Sequence, residues 1–138
     1  MAAVWLLCTP STSTRGAFAG RSATASAVPV MSPPPPTLAD GLAGEVCQTT
    51  LDLCRALGVP VRLVPERAIL PAIGETLLRE HLAVEGSAAV AVAAVLQGLL
   101  PRGNGPVALV LSGGNVDPDV LAHAVDVVGR REEDETAP

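Results

Sequence analysis

The segment of this chain best suited to chemistry is Ser112-Gly113-Gly114-Asn115, which directly follows the apolar run Val107-Ala108-Leu109-Val110-Leu111. A continuous apolar run of that length is the pattern of a strand buried in a parallel sheet. Ligands of open α/β sheets bind beyond the carboxyl ends of such strands. Ser112 would then present its hydroxyl to the crevice, and the two glycines would let the backbone approach a flat or anionic ligand. A plain strand-to-helix turn, whose glycines only supply unusual dihedrals, accounts equally well for these four residues taken alone.

Other reactive side chains are few. The chain has no lysine; its basic residues are nine arginines and two histidines. This removes the usual carbonyl-binding nucleophile and any P-loop lysine. Cys47 and Cys54 stand seven residues apart in an expected helix, about 10.5 Å along its axis at 1.5 Å per residue, which is too far for a disulfide. No histidine lies near them to complete a metal site, and both are expected to face the core as small apolar residues. His81 is placed at a helix C-terminus, where positive charge is favoured. His123, between Asp119 and Asp126, falls on the polar face of the last helix. Neither has the partners of an acid–base catalyst.

Three stretches are informative in their order: Thr37-Leu38-Ala39-Asp40-Gly41-Leu42, then Glu85-Gly86-Ser87-Ala88-Ala89-Val90, then Leu111-Ser112-Gly113-Gly114-Asn115. In that order they resemble the serine/threonine ammonia-lyases (threonine dehydratases) and serine racemases, enzymes that use pyridoxal 5'-phosphate. The resemblance covers about residues 33–128. It implies an α/β fold, part of the three-layer large domain of the tryptophan synthase β-like class (PLP fold type II).

It also implies roles. Ser112 matches the serine whose hydroxyl hydrogen-bonds the pyridine nitrogen, Gly113 and Gly114 would line the ring's edge, and Asn115 would hold the loop. Glu85 matches a glutamate near the active site; a charge favouring the helix N-terminus explains it as well. Asp40 would cap or orient a short helix and receives no catalytic role. The family's cofactor-bearing lysine, phosphate-cradling glycine loop, small substrate domain and divalent-cation carboxylates have no counterpart in these residues. The expectation is a truncated lyase that would deaminate a 2-amino-3-hydroxy acid to a 2-oxo acid, with the chain alone inactive. The alternative is a non-catalytic α/β module that binds an anion at the Ser112 loop, or that pairs with another chain. Deaminase and racemase are not distinguished.

Several elements must position these residues. Residues 45–57 place Val46, Cys47, Thr50, Leu51, Cys54 and Leu57 at helical spacing, with Gly58 as the stop. Residues 59–64 read as a short strand. Residues 66–81 read as a helix with Ile69, Ile73 and Leu77 inward and Glu66, Glu75, Arg79 and Glu80 toward water. Pro71 fits if the helix begins near residues 67–70.

Residues 86–99 have no polar face, which predicts a helix buried on all sides. Exposing Val90, Val92, Val95 and Leu96 would forfeit about 6 kcal/mol at roughly 1.5 kcal/mol each. A turn at 103–105, the strand at 107–111 and the Ser112 loop follow. Asp117-Pro118 opens a last helix with an acidic cap and proline in its first turn. Its inner stripe is Val120, Leu121, Ala124, Val125 and Val128, and an acidic, frayed tail occupies 130–138.

The 138 residues suffice for one domain, placed at 37–129. Residues 1–36 contain no acidic residue, carry Arg15 and Arg21, and end in Pro33-Pro34-Pro35-Pro36. They read as a disordered leader, either transit-like or artefactual. A cytoplasmic location is expected, or an organellar one if the leader is a transit peptide. The net charge of −5 and the lack of a basic cluster argue against nucleic acid. No uninterrupted apolar run is long enough for a membrane span. Expected partners are an amino-acid substrate in the full-length family and a homo-oligomer or a missing half-domain.

Overall fold

A computed structural model describes residues 2–5, 37–43, 47–100 and 106–136. The elements are β1 (Ala2–Trp5), a 3-10 turn (Asp40–Leu42), α1 (Gln48–Ala56), β2 (Val61–Val64), a 3-10 turn (Glu66–Ala68), α2 (Ile69–Glu80), α3 (Gly86–Leu96) and α4 (Pro118–Thr136). β1 pairs antiparallel with β2, Ala2 opposite Val64 and Trp5 opposite Val61.

The helix α2 is the centre of the packing, because α3 and α4 both lie against it. Its apolar residues recur three and four apart, so Ile69, Ala72, Ile73 and Thr76 fall on one buried stripe. The Thr76 hydroxyl is satisfied internally, donating to the Ala72 carbonyl at 2.7 Å. Pro71 occupies the first turn, where its missing N–H costs no hydrogen bond. Gly74 lets α4 come close: a Cβ there would stand 2.7 Å from Val128 Cγ2 and closer still to the Ala124 carbonyl.

Helix ends are set by local backbone chemistry. α1 and α3 each stop at a glycine with positive φ, Gly58 at 62° and Gly98 at 64°. After each, paired bonds close the last turn: Gly58 N–H to the Arg55 carbonyl with Val59 N–H to Cys54, and Gly98 N–H to Val95 with Leu99 N–H to Ala94. α2 ends on His81, the non-glycine residue with φ 57°, whose N–H donates to the Leu77 carbonyl at 3.1 Å.

Several sequence expectations change. Residues 107–111 form no strand among the described residues. Val107 and Val110 are 62% and 79% exposed. An apolar run specifies burial, whereas a strand also requires a ladder partner, and the described residues supply none. The described residues are therefore mainly helical with one antiparallel ribbon, and the three-layer α/β arrangement is not formed among them.

α1 buries nothing: Leu53 and Leu57 are exposed, Cys47 is exposed and Cys54 half-buried, so the two thiols do not face a core. α3 is not covered all round. Ala89, Val90 and Ala93 are buried, but Val95 and Leu96 are 39% and 52% exposed. α4 continues through Gly129 to Thr136, with an Arg130–Asp126 ion pair one turn apart, where a frayed tail was expected. Ala2–Trp5, within the expected disordered leader, forms a strand; the rest of that leader, Val46 and the turn at 103–105 lie outside the described residues.

Candidate functional site

The three motif stretches, separated by dozens of residues in sequence, meet at the N-terminus of α3. From the first, the Leu38 carbonyl lies against Gly86 so closely that a Cβ at position 86 would collide with it. Gly41 sits beside Ser87, its missing Cβ 2.8 Å from Ser87 Oγ and 3.9 Å from Glu85 Oε1. From the third, the Gly113 carbonyl accepts the Glu85 N–H at 3.1 Å. Asn115 N–H donates to Glu85 Oε2 at 3.4 Å.

Gly113 sits directly against the end of the Glu85 side chain. A Cβ there would strike the Glu85 carboxylate, and one at Gly114 would lie 3.2 Å from the Ala83 carbonyl. The loop is thus moulded onto residues 83–85.

Glu66 anchors the first stretch. It accepts Thr37 Oγ1 at 2.8 Å and Leu38 N–H at 2.7 Å, while Ala39 N–H donates to Thr37 Oγ1 at 3.1 Å. Sequence periodicity had turned Glu66 toward water. It lies instead in the short 3-10 turn before α2, where the helical wheel does not apply. The glutamate–threonine pair is 29 residues apart, and no local pattern reports it.

Beside this junction is an open cavity of about 310 Å³. It is lined by Leu82, Ala83 and Val84 together with Leu111, Ser112, Gly113 and Gly114. Ser112 is exposed at its wall, and among the described residues no hydrogen bond engages its hydroxyl. The lining mixes apolar side chains with backbone polar groups and carries one hydroxyl, that of Ser112. Asp40, His81 and His123 are exposed. Among the described residues no cluster of His, Cys, Asp and Glu could hold a metal ion, and no helix is long and apolar enough to cross a membrane.

The junction is thus a shallow, open surface built on the N-terminus of α3. Sequence comparison supplies the kinship. The chain is 35% identical over 102 residues to a protein of Sinorhizobium fredii that carries the name threonine dehydratase, a match covering 72% of this chain and 31% of the relative. It is 40% identical over 91 residues to the L-threonine ammonia-lyase of Geobacter sulfurreducens, covering 65% of this chain and 23% of the relative. It is 37% identical over 92 residues to the L-threonine ammonia-lyase of Thermotoga maritima, covering 66% and 23%. By sequence, the matched part of this chain belongs with the threonine dehydratases and L-threonine ammonia-lyases. The chain spans between about a quarter and a third of the length of these relatives. No family profile matches it, and no solved structure does.

Proposed function

We propose that residues 37–129 form one wall of the cofactor pocket of a pyridoxal 5'-phosphate-dependent ammonia-lyase acting on threonine or serine. In the reaction the 2-amino-3-hydroxy acid loses its β-hydroxyl as water. Water is taken up again as ammonia is released, leaving a 2-oxo acid. The bound cofactor supplies the electron sink for this elimination.

What supports a place for that cofactor's ring is the Ser112 hydroxyl beside Leu82–Val84 and Leu111. Ser112 would donate its hydroxyl to the pyridine nitrogen when the cofactor is bound. A neutral hydroxyl does not hold that nitrogen protonated as an aspartate would, which moderates the electron demand of the ring. Leu82, Ala83, Val84 and Leu111 would lie along its edge, Gly113 and Gly114 would bring backbone near it, and Asn115 would hold the loop. With no lysine, the chain offers no amine side chain to carry the cofactor, and turnover requires a lysine from elsewhere.

The observation that carries this reading is the convergence of Leu38–Gly41, Glu85–Ser87 and Gly113–Asn115 at one helix terminus, with the Ser112 hydroxyl left free beside them. The names of the matched relatives give the substrate class. We place the protein in the cytoplasm and assign the exposed Val107, Val110 and Leu96 to contact with the remainder of such an enzyme, or with a second subunit.

A graft tests the proposal. The matched segment of an L-threonine ammonia-lyase is replaced by the corresponding residues of this chain, and 2-oxo acid formation from threonine is followed. Activity within about tenfold of the parent, a cost of about 1.4 kcal/mol, is the expected result. A folded graft that retains its cofactor yet forms no 2-oxo acid overturns the reading.

A further inference from the structure

We propose that Glu85 is the positioning residue of the Ser112 loop, acting from behind the loop and not from within the cavity. The functional consequence, a fixed Ser112 hydroxyl, rests on the proposed function; the locking of the loop does not.

Glu85 joins two elements by three independent contacts. Its carbonyl accepts the Ala89 N–H at 2.9 Å and so begins α3, while its own N–H donates to the Gly113 carbonyl at 3.1 Å. Its carboxylate Oε2 accepts the Asn115 N–H at 3.4 Å. The donor and acceptor groups of one residue therefore bracket Gly113, Gly114 and Asn115, and refer that loop to a helix whose Ala88, Ala89, Val90 and Ala93 are buried.

A carboxylate at a helix start ordinarily serves the helix itself, by capping or through the dipole. Here the side chain makes no capping bond to α3; it turns to the loop. Nor does it line the cavity, whose wall at that point is Ala83, Val84, Gly113 and Gly114. The carboxylate fills the space that a Cβ at position 113 would need. Glutamate at 85 and glycine at 113 are thus one device: the first supplies the acceptor, the second the room for it.

The test reads backbone order in the isotope-labelled full chain by NMR relaxation, with no cofactor present. Wild type, Glu85→Ala, Glu85→Gln and Gly113→Ala are compared. In Glu85→Ala the order parameters of residues 113–115 should fall from the rigid range of about 0.85 to below about 0.6, while those of α2 and of residues 88–94 hold. Glu85→Gln keeps an oxygen acceptor and should restore them. Gly113→Ala, with Glu85 intact, should loosen the same residues by displacing the carboxylate.

Unchanged order at 113–115 in Glu85→Ala overturns the proposal. So does an equal loss throughout α2 and α3, which would mark a general stability role. A lyase graft that fails although the Glu85 lock is confirmed would condemn the cofactor assignment and leave the lock standing.

Discussion

Thr37 and Glu66 are joined across 29 residues, the hydroxyl of one donating at 2.8 Å to a carboxylate oxygen of the other, whose second oxygen takes the Leu38 N–H. This pair fixes the segment that lies against Gly86 and thereby the floor of the junction. Glu66→Ala leaves two donors without their charged acceptor and should cost about 2 kcal/mol. Thr37→Val, which removes the hydroxyl that donates to Glu66 and accepts the Ala39 N–H, should cost about 1–2 kcal/mol. Urea unfolding followed by circular dichroism measures both. Equal and negligible losses would show that the pair does not hold the segment.

Gly74 sets the approach of α2 and α4. Any side chain at that position meets the Ala124 backbone and Val128, neither of which is a flexible tip that could swing aside. Gly74→Ala should destabilise the fold by about 1–3 kcal/mol, although alanine is the better helix former by about 1 kcal/mol. A thermal unfolding curve gives the sign directly. A stabilised variant would mean that the helices separate freely.

Cys47 stands at the N-terminus of α1, where the backbone amides of Thr50 and then Thr49 favour its thiolate and lower its pKa from the ordinary value. Because the folded pKa is depressed, the associated stabilisation exists above the unfolded pKa and fades as pH falls through the folded one. Alkylation of Cys47, read by mass spectrometry residue by residue, should show a midpoint below that of the same thiol in urea. Coincident midpoints would show that the helix end does not act on it.

Helix α2 ends on a histidine in a left-handed conformation that glycine adopts without steric cost. His81→Gly should therefore leave stability unchanged or raise it by up to about 1 kcal/mol, as a shift in the urea midpoint. A loss larger than that would reveal a contact of the exposed imidazole that matters to the fold.

Much of the helical layout was legible because it follows from short-range chemistry. The glycine stop at 58, the Asp117-Pro118 opening and the Ile69–Ile73 stripe each depend on residues within one or two turns, whereas the stop at Gly98 went unread. The site residues were legible only as an ordered set of motifs. What the sequence did not reveal were the non-local contacts, namely Thr37 with Glu66, Gly86 with the Leu38 carbonyl, and Gly113 with the Glu85 carboxylate. The reading of 107–111 as a strand shows the complementary failure. Periodicity reports how apolar a segment is, and the partner that makes it a strand must come from somewhere else in space. The tail expected to fray at 130–138 is helical as far as Thr136, with Asp126 and Arg130 ion-paired one turn apart.

The assignment of Ser112 is the claim on which the functional account turns. In the lyase graft, Ser112→Ala removes the single hydroxyl proposed to meet the ring and should leave the loop and the bound cofactor in place. Steady-state deamination of threonine, measured with the cofactor content of each preparation, is the decisive quantity. The account predicts that Ser112→Ala retains full cofactor and loses at least about tenfold in turnover, a barrier increase of about 1.4 kcal/mol. Turnover equal to that of the unsubstituted graft at equal cofactor content would contradict it.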